Sequence, residues 1–483
     1  MEYTPGRRIT LLSLVDELLL CIIEHIDTQE ALVNLATTCS RFQGLTEPFV
    51  WRSVLVRKGS HAREITNTLM KRPERASFIH DLAIRYASMH EKGIQDLNLV
   101  LPHLNKLRHL TIESPCPNNG PWRTGGVEFT SQTRIDYTSL LEASIDPQLK
   151  PPRLSMLQSL TLHGHGHGDN KFTFGRNAVI FLHPSLRNLT ISCSNFAADI
   201  TPDDIPQEMQ KSTPLTSLTF IECNVSVELL DIVLGFPRAL KELSIGERLF
   251  AFPGCFPKTT LGVEQSRFLR ALSKQGDSLE LLRHIGGYSR LWPPSPADYP
   301  NFRSLKNLRR LELGFESTLR HYLHVCNAPE SLKSLKMYDG GLVNIRNVST
   351  LQHLQFVWSS STELALLRIP KTCAFEVCFT HHGPTDARPV EDIPPVWRAQ
   401  TQRNGVYNIA KPLKARGGRF RIFGQEFPTR NKTFIPPYMY GEDLPIETLL
   451  YDSEELWKFA GVNYRSLDAE EGLLNKESSS TGS

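Results

Sequence analysis

The feature that most constrains this chain is a spaced apolar triplet, L-x-x-L-x-L, that recurs along most of its length. The copies are Ile79-Leu82-Ile84, Leu107-Leu110-Ile112, Leu157-Leu160-Leu162, Leu186-Leu189-Ile191, Leu215-Leu218-Phe220, Leu240-Leu243-Ile245, Leu308-Leu311-Leu313, Leu332-Leu335-Met337, Leu351-Leu354-Phe356 and Leu364-Leu367-Ile369. A weaker copy starts Leu279-Leu282. From Ile79 to Leu240 the copies follow one another at about 25–29 residues, with one gap of about 50. The last two apolar residues of each triplet are two apart, the period of a strand with one face in a core. No copy can bury that face alone, so the copies have to stack as parallel strands while the rest of each repeat returns on the other side.

The pattern and its period resemble leucine-rich repeats, which implies an α/β fold with a parallel β-sheet in a solenoid, or horseshoe, spanning residues 75–380. Return segments such as Val227–Leu234 and Arg267–Leu272 have helical spacing. Cys193 after Ile191 and Cys223 after Phe220 stand where such repeats ladder the turn, and other copies lack that residue. Two insertions interrupt the period. Glu113–Pro152 gathers Pro115, Pro117, Gly120 and Pro121 around Trp122, and Gly286–Phe302 holds Trp292, Pro293, Pro294, Pro296, Tyr299 and Pro300. Loops of a solenoid cluster on one face, so the surroundings of Trp122 and Trp292 are the candidate substrate-binding positions. Cys373–Phe379 reads as a last strand. Residues 381–474, rich in proline and aromatic residues without clear period, are expected to form an irregular carboxy-terminal cap, and 475–483 a disordered tail.

The amino-terminal region has a different period. Leu14, Leu18, Ile22 and Ile26 advance by fours, and Leu19 and Ile23 widen the stripe into an amphipathic helix with Asp16 and Glu17 in its first turn. Ser13 is the expected cap, with Asp16 as its acidic partner. A second helix is expected after Asp27 or Thr28, through Ala31, Leu32, Leu35 and Ala36. A third carries Phe42 and Leu45, with Pro48 breaking the chain before Trp51. So small a helical unit is marginal by itself, and apolar residues left outside its core would mark a docking surface.

Over residues 9–55 these segments resemble the F-box. The matching pieces are Leu14-Val15-Asp16-Glu17-Leu18-Leu19, Ile22-Ile23-Glu24-His25-Ile26, Leu35-Ala36-Thr37-Thr38-Cys39-Ser40-Arg41-Phe42 and Trp51. Val15 stands where the family has proline. The resemblance implies an all-α module that binds the Skp-type adaptor of a cullin-based ubiquitin ligase through Leu14, Glu17, Leu18, Leu19, Ile22, Ile26, Leu35 and Trp51. With repeats behind it, the chain resembles the F-box/leucine-rich-repeat substrate receptors, which capture a target protein and carry no catalytic residue. The alternative is a scaffold that recruits partners outside a ligase.

Composition bears on what else the chain could do. It has 54 Lys+Arg against 51 Asp+Glu, a net charge of +3, which disfavours a protein built to neutralise nucleic-acid phosphates. No run of ~18 uncharged apolar residues spans a membrane. The apolar stretch Ile9–Ile26 follows Arg7 and Arg8 but is interrupted by Asp16, Glu17 and Glu24, unlike a signal peptide. The 9 cysteines are odd in number and scattered, which fits reduced, buried thiols and a cytoplasmic or nuclear protein. His163, His165, His167 and Asp169 offer metal-ligand chemistry, but in a glycine-rich setting without a cysteine partner, so no metal and no cofactor is expected. The basic run Lys411, Lys414, Arg416, Arg419 and Arg421, with Phe420 and Phe423, reads as a solvated loop in preference to a nucleic-acid strip. No phosphate loop, nucleophile elbow or His-Glu-x-x-His helix occurs, so a non-catalytic binding protein is expected.

Overall fold

The computed structural model describes residues 10–86, 91–114, 123–124, 127–128, 135–164 except 147, 150 and 151, 172–173, 175–195 except 193, 209–246 except 222 and 224, 265–285, 303–314, 317, 319–320, 323, 327–339, 367–381, 400–426 and 446–455. The chain is mixed α/β and falls into two compact units, Met1–His165 with Leu182–Leu189, and Gly166–Phe181 with Thr190–Ser483.

In the first unit, helices α1 (Asp16–Glu24), α2 (Gln29–Ala36) and α3 (Ser40–Val50) pack around Leu19, Ile23, Leu32 and Phe42. Thr28 caps α2, its hydroxyl accepting from Ala31 N–H at 3.3 Å. Two local expectations are corrected. Ser13 does not cap α1: Val15 holds that position, and the Ser13 hydroxyl donates back to Thr10 O at 2.6 Å. Pro48 lies inside α3, which continues past it to a bond from Trp51 N–H to Glu47 O at 3.1 Å. Its ring takes its own N–H out of the ladder and crowds the carbonyl four residues back, and the helix continues for less than one turn beyond it.

Strand β1 (Ser53–Val56) and helix α4 (Gly59–Lys71) follow, neither expected from the triplets. Then come β2 (Asp81–Arg85), β3 (His109–Ser114) and β4 (Ser159–Gly164), all paired in parallel and in sequence order. Register aligns Leu82 with Leu110 and Leu160, and Ile84 with Ile112 and Leu162, so the last two members of each triplet form continuous buried rows. Leu104 and Leu154 add a further buried apolar position three residues ahead of the triplets that start at Leu107 and Leu157. Helix α5 (Tyr137–Ile145) and a short antiparallel ribbon, Arg123–Thr124 with Val127–Glu128, lie within the first insertion. The next strand, β5 (Asn188–Ser192), begins in this unit, Asn188 N–H bonding to Gln158 O at 2.9 Å.

The second unit repeats the scheme with β6 (Ser217–Ile221), β7 (Glu242–Gly246), β8 (Leu281–Ile285), β9 (Arg310–Gly314), β10 (Ser334–Asp339), β11 (Ala374–His381) and β12 (Arg419–Glu426). These run parallel, neighbour on neighbour, and β13 (Ile446–Asp452) closes the series antiparallel to β12. Return helices α6 (Val227–Val233) and α7 (Gln265–Ser273) occupy the two segments with helical spacing. Cys223 ladders its turn, its thiol donating to Ile191 O at 3.5 Å and Ile221 O at 3.3 Å.

Several expectations change here. The weak copy at Leu279 is a full strand, β8, whose third core position is His284. Its imidazole is buried beside Phe268, with Nδ1 2.8 Å from Ser317 Oγ. Leu367 and Ile369 are not in a strand, and Leu367 is exposed, because the strand of that repeat starts at Ala374. Residues 381–474 hold regular elements instead of an irregular cap alone: helix α8 (Gln400–Ala415) and β12 add a further repeat, in which Phe420 and Ile422 take the two strand leucine positions. For the same reason the basic run is not a solvated loop, since it spans α8 and β12 and two of its arginines are ion-paired. The copy at Leu351, the loops around Trp122 and Trp292, residues Cys193, His165, His167 and Asp169, and the tail 475–483 lie outside the described residues. Among the described residues no helix is long and apolar enough to cross a membrane.

Candidate functional site

The amino-terminal helices leave apolar surface uncovered. In α1 every fourth residue along one line faces outward: Leu18 is 52% exposed and Ile22 45%, and Leu11, Leu12 and Val15 just ahead of the helix are exposed as well. The neighbouring line, Leu19 and Ile23, is 1% exposed and packs in the core of the helix trio. Helical geometry accounts for the split, since residues three and four apart share a face and the two sets are offset by one position. Large apolar side chains clustered this way on one helix and its lead-in segment mark an interaction surface.

The segment ahead of α1 is held by Arg41. Its guanidinium donates to Leu12 O at 2.6 Å, to Leu14 O at 2.7 Å and to the Asp16 carboxylate at 2.7 and 3.0 Å. These bonds fix the chain direction into α1, where Val15 cannot preset the backbone as a proline does.

The eight residues singled out from sequence therefore divide. Leu18, Ile22 and Glu17 are exposed on α1, Leu14, Ile26 and Leu35 are half-buried against the core, and Leu19 is part of that core. Trp51, half-buried, carries the Arg75 guanidinium 5.3 Å above its ring, and Arg75 pairs with Glu47. Leu19 and Trp51 thus shape the module and Leu18 and Ile22 face outward. Leu11, Leu12 and Val15 are exposed as well although the sequence did not single them out; the density of large aliphatic residues between positions 11 and 22, more than one core line can bury, was the available signal.

In the first unit, Arg85, Glu113 and His163 align across β2, β3 and β4 on the sheet face opposite the leucines. Arg85 Nε lies 3.3 Å from Glu113 Oε2. Burial, with Arg85 adding to it, pushes His163 down to about 4, so the ring is neutral at physiological pH. His163 is thus a buried strand residue, and among the described residues no cluster of His, Cys, Asp or Glu could hold a metal. Cys373 and Cys378 are buried thiols, each pushed up to about 12 by burial. In the second unit the corresponding sheet face carries a buried charged row, centred on Lys336, that sequence reading missed. No family model and no curated protein sequence matches this chain.

Proposed function

We propose that this chain is the substrate-recognition subunit of a Skp–cullin–F-box ubiquitin ligase, docking on the adaptor through its amino-terminal helices and holding a target protein on its repeats. The observation that carries this reading is the exposure of Leu11, Leu12 and Val15 ahead of α1 and of Leu18 and Ile22 on it, in the segments that resemble the F-box. Full burial of such a side chain is worth about 1.5–3 kcal/mol, and these, about half exposed, gain roughly half of that each when a partner covers them. The chain's part is non-catalytic: it raises the effective concentration of target lysines near a charged conjugating enzyme.

The test is co-expression of the full chain with a Skp-type adaptor and a cullin. The intact chain is expected to co-purify with both. Leu18→Asp together with Ile22→Asp should cut adaptor capture by at least about 100-fold while leaving the thermal unfolding midpoint in place, because neither side chain is in the core. Absence of adaptor binding by the intact chain rejects the ligase reading. Adaptor binding without ubiquitination of any bound protein favours the scaffold.

A further inference from the structure

In the second unit, on the sheet face opposite the leucine core, five neighbouring strands each contribute one residue to a single row: Arg283, Glu312, Lys336, Glu376 and Arg421. The signs alternate and the row begins and ends with arginine, which leaves one positive charge in surplus. Both row carboxylates are engaged. Glu312 accepts from Arg310 Nε at 2.6 Å and from the Tyr338 hydroxyl at 3.0 Å, and Glu376 is bound by Arg421. The surplus falls on Lys336, which is 1% exposed and whose Nζ stands 5.1 Å from the ring centres of both Tyr338 and Phe423. A buried ammonium needs a counter-ion. Glu447 supplies it, with both carboxylate oxygens 2.6 Å from Lys336 Nζ.

Glu447 comes from β13, the antiparallel last strand. That strand is weakly anchored by packing: Ile446 is 61% exposed, Leu449 is also exposed, and Tyr451 is its buried side chain. Its Glu447 end is held by backbone bonds to β12 and by the carboxylate on Lys336. Strand pairing supplies affinity without sequence information, and one charged pocket supplies the selection, which is how sheet edges take extended peptides.

We propose that the cradle formed by Lys336, Tyr338 and Phe423 is a carboxylate-binding site for an acidic extended segment of a partner protein, and that Glu447 occupies it in cis. An incoming strand pairs with β12 in place of β13 and sets its own carboxylate on Lys336. Calling this the target-holding site rests on the receptor reading above, whereas the binding itself does not, because it is measured with no adaptor present.

The probes are a fluorescein-labelled peptide with the sequence of Ile446–Asp452 and the same peptide carrying Glu447→Gln, titrated against the full-length chain and its Glu447→Ala variant. The variant is expected to bind the glutamate peptide at least about 10-fold more tightly than the unmodified chain does, and to bind the glutamine peptide at least about 10-fold more weakly than the glutamate peptide. Adding Lys336→Met should abolish that preference. No binding to the variant, or equal binding of the two peptides, overturns the proposal. Should the variant fail to unfold cooperatively, amide exchange in the unmodified chain decides: excess glutamate peptide must speed exchange in β13 more than excess glutamine peptide, and equal or absent acceleration overturns the proposal.

Discussion

Arg41 gathers, with one planar fork, two backbone carbonyls and a carboxylate from a segment more than twenty residues earlier. Arg41→Ala is expected to lower the stability of the amino-terminal helices by about 1–2 kcal/mol, the partly exposed range for charge-assisted bonds. Arg41→Lys should recover less than half of that, because an ammonium cannot span all three acceptors. Urea midpoints of the two variants check both figures; equal stability of the Arg41→Lys variant and the unmodified chain would show that charge alone matters. The sequence displays Arg41 beside Phe42 at the start of the third helix, but the contact to Leu12, Leu14 and Asp16 was not legible, since nothing local connects them. Asp16 was read as a capping partner of Ser13 because both lie in one turn, and the competing long-range arginine took it.

At the scale of one repeat, the turn after α7 shows how neighbours are locked together. Gln275 is buried, its amide donating to Leu234 O at 2.7 Å and Pro237 O at 3.0 Å while its carbonyl oxygen accepts from Leu240 N–H at 3.0 Å. Beside it, a Cβ on Gly276 would lie 2.3 Å from Ser304 O of the following repeat. Gln275→Ala strands three backbone groups in the interior and is expected to cost about 2–4 kcal/mol. Gly276→Ala should also destabilise, by forcing two backbones apart. Chemical denaturation of the full chain measures each, and a cost below about 0.5 kcal/mol for Gln275→Ala, the size of an ordinary surface substitution, would mean that water replaces the amide. Strands were legible where the full leucine-like triplet was present, because burial on one sheet face demands that period; β1, with only the pair Val54 and Val56, was not. The signal was weak where chemistry replaced the aliphatic residue, as His284 does with its hydrogen bond to Ser317, and was missed where Phe420 and Ile422 follow a helix long enough to hide the spacing. Leu367 misled for the converse reason: a matching spacing in a segment that makes no strand.

At the scale of the whole molecule, the two units carry different acid-sensitive groups, and this separates their responses to pH. His163 and His183 both belong to the first unit, and burial pushes each down to about 4. Folded, they are neutral; unfolded, they take up protons below the ordinary histidine value near 6.5. Between those limits the unfolded state binds more protons, so stability falls as pH falls, by roughly 3 kcal/mol per histidine once pH reaches about 4. In the second unit, burial is the largest single influence on Asp452 and would raise it, but the hydrogen bonds from Arg419 and the Glu454 N–H together with the charges of Arg419 and Arg421 outweigh it, and the carboxyl sits below its ordinary value. Its contribution is complete above the ordinary aspartate value near 3.9 and is lost only below it. Acidification from pH 7 to 4.5 is therefore expected to release amide protection in β2, β3 and β4 well before β11 and β12, as read by hydrogen exchange of peptides from each strand. His163→Phe together with His183→Phe should flatten the first unit's pH dependence over that range, with any packing cost appearing equally at pH 7 and 4.5. Simultaneous loss of protection in all strands, with the double variant unchanged in slope, would show that the buried histidines do not govern the acid limit.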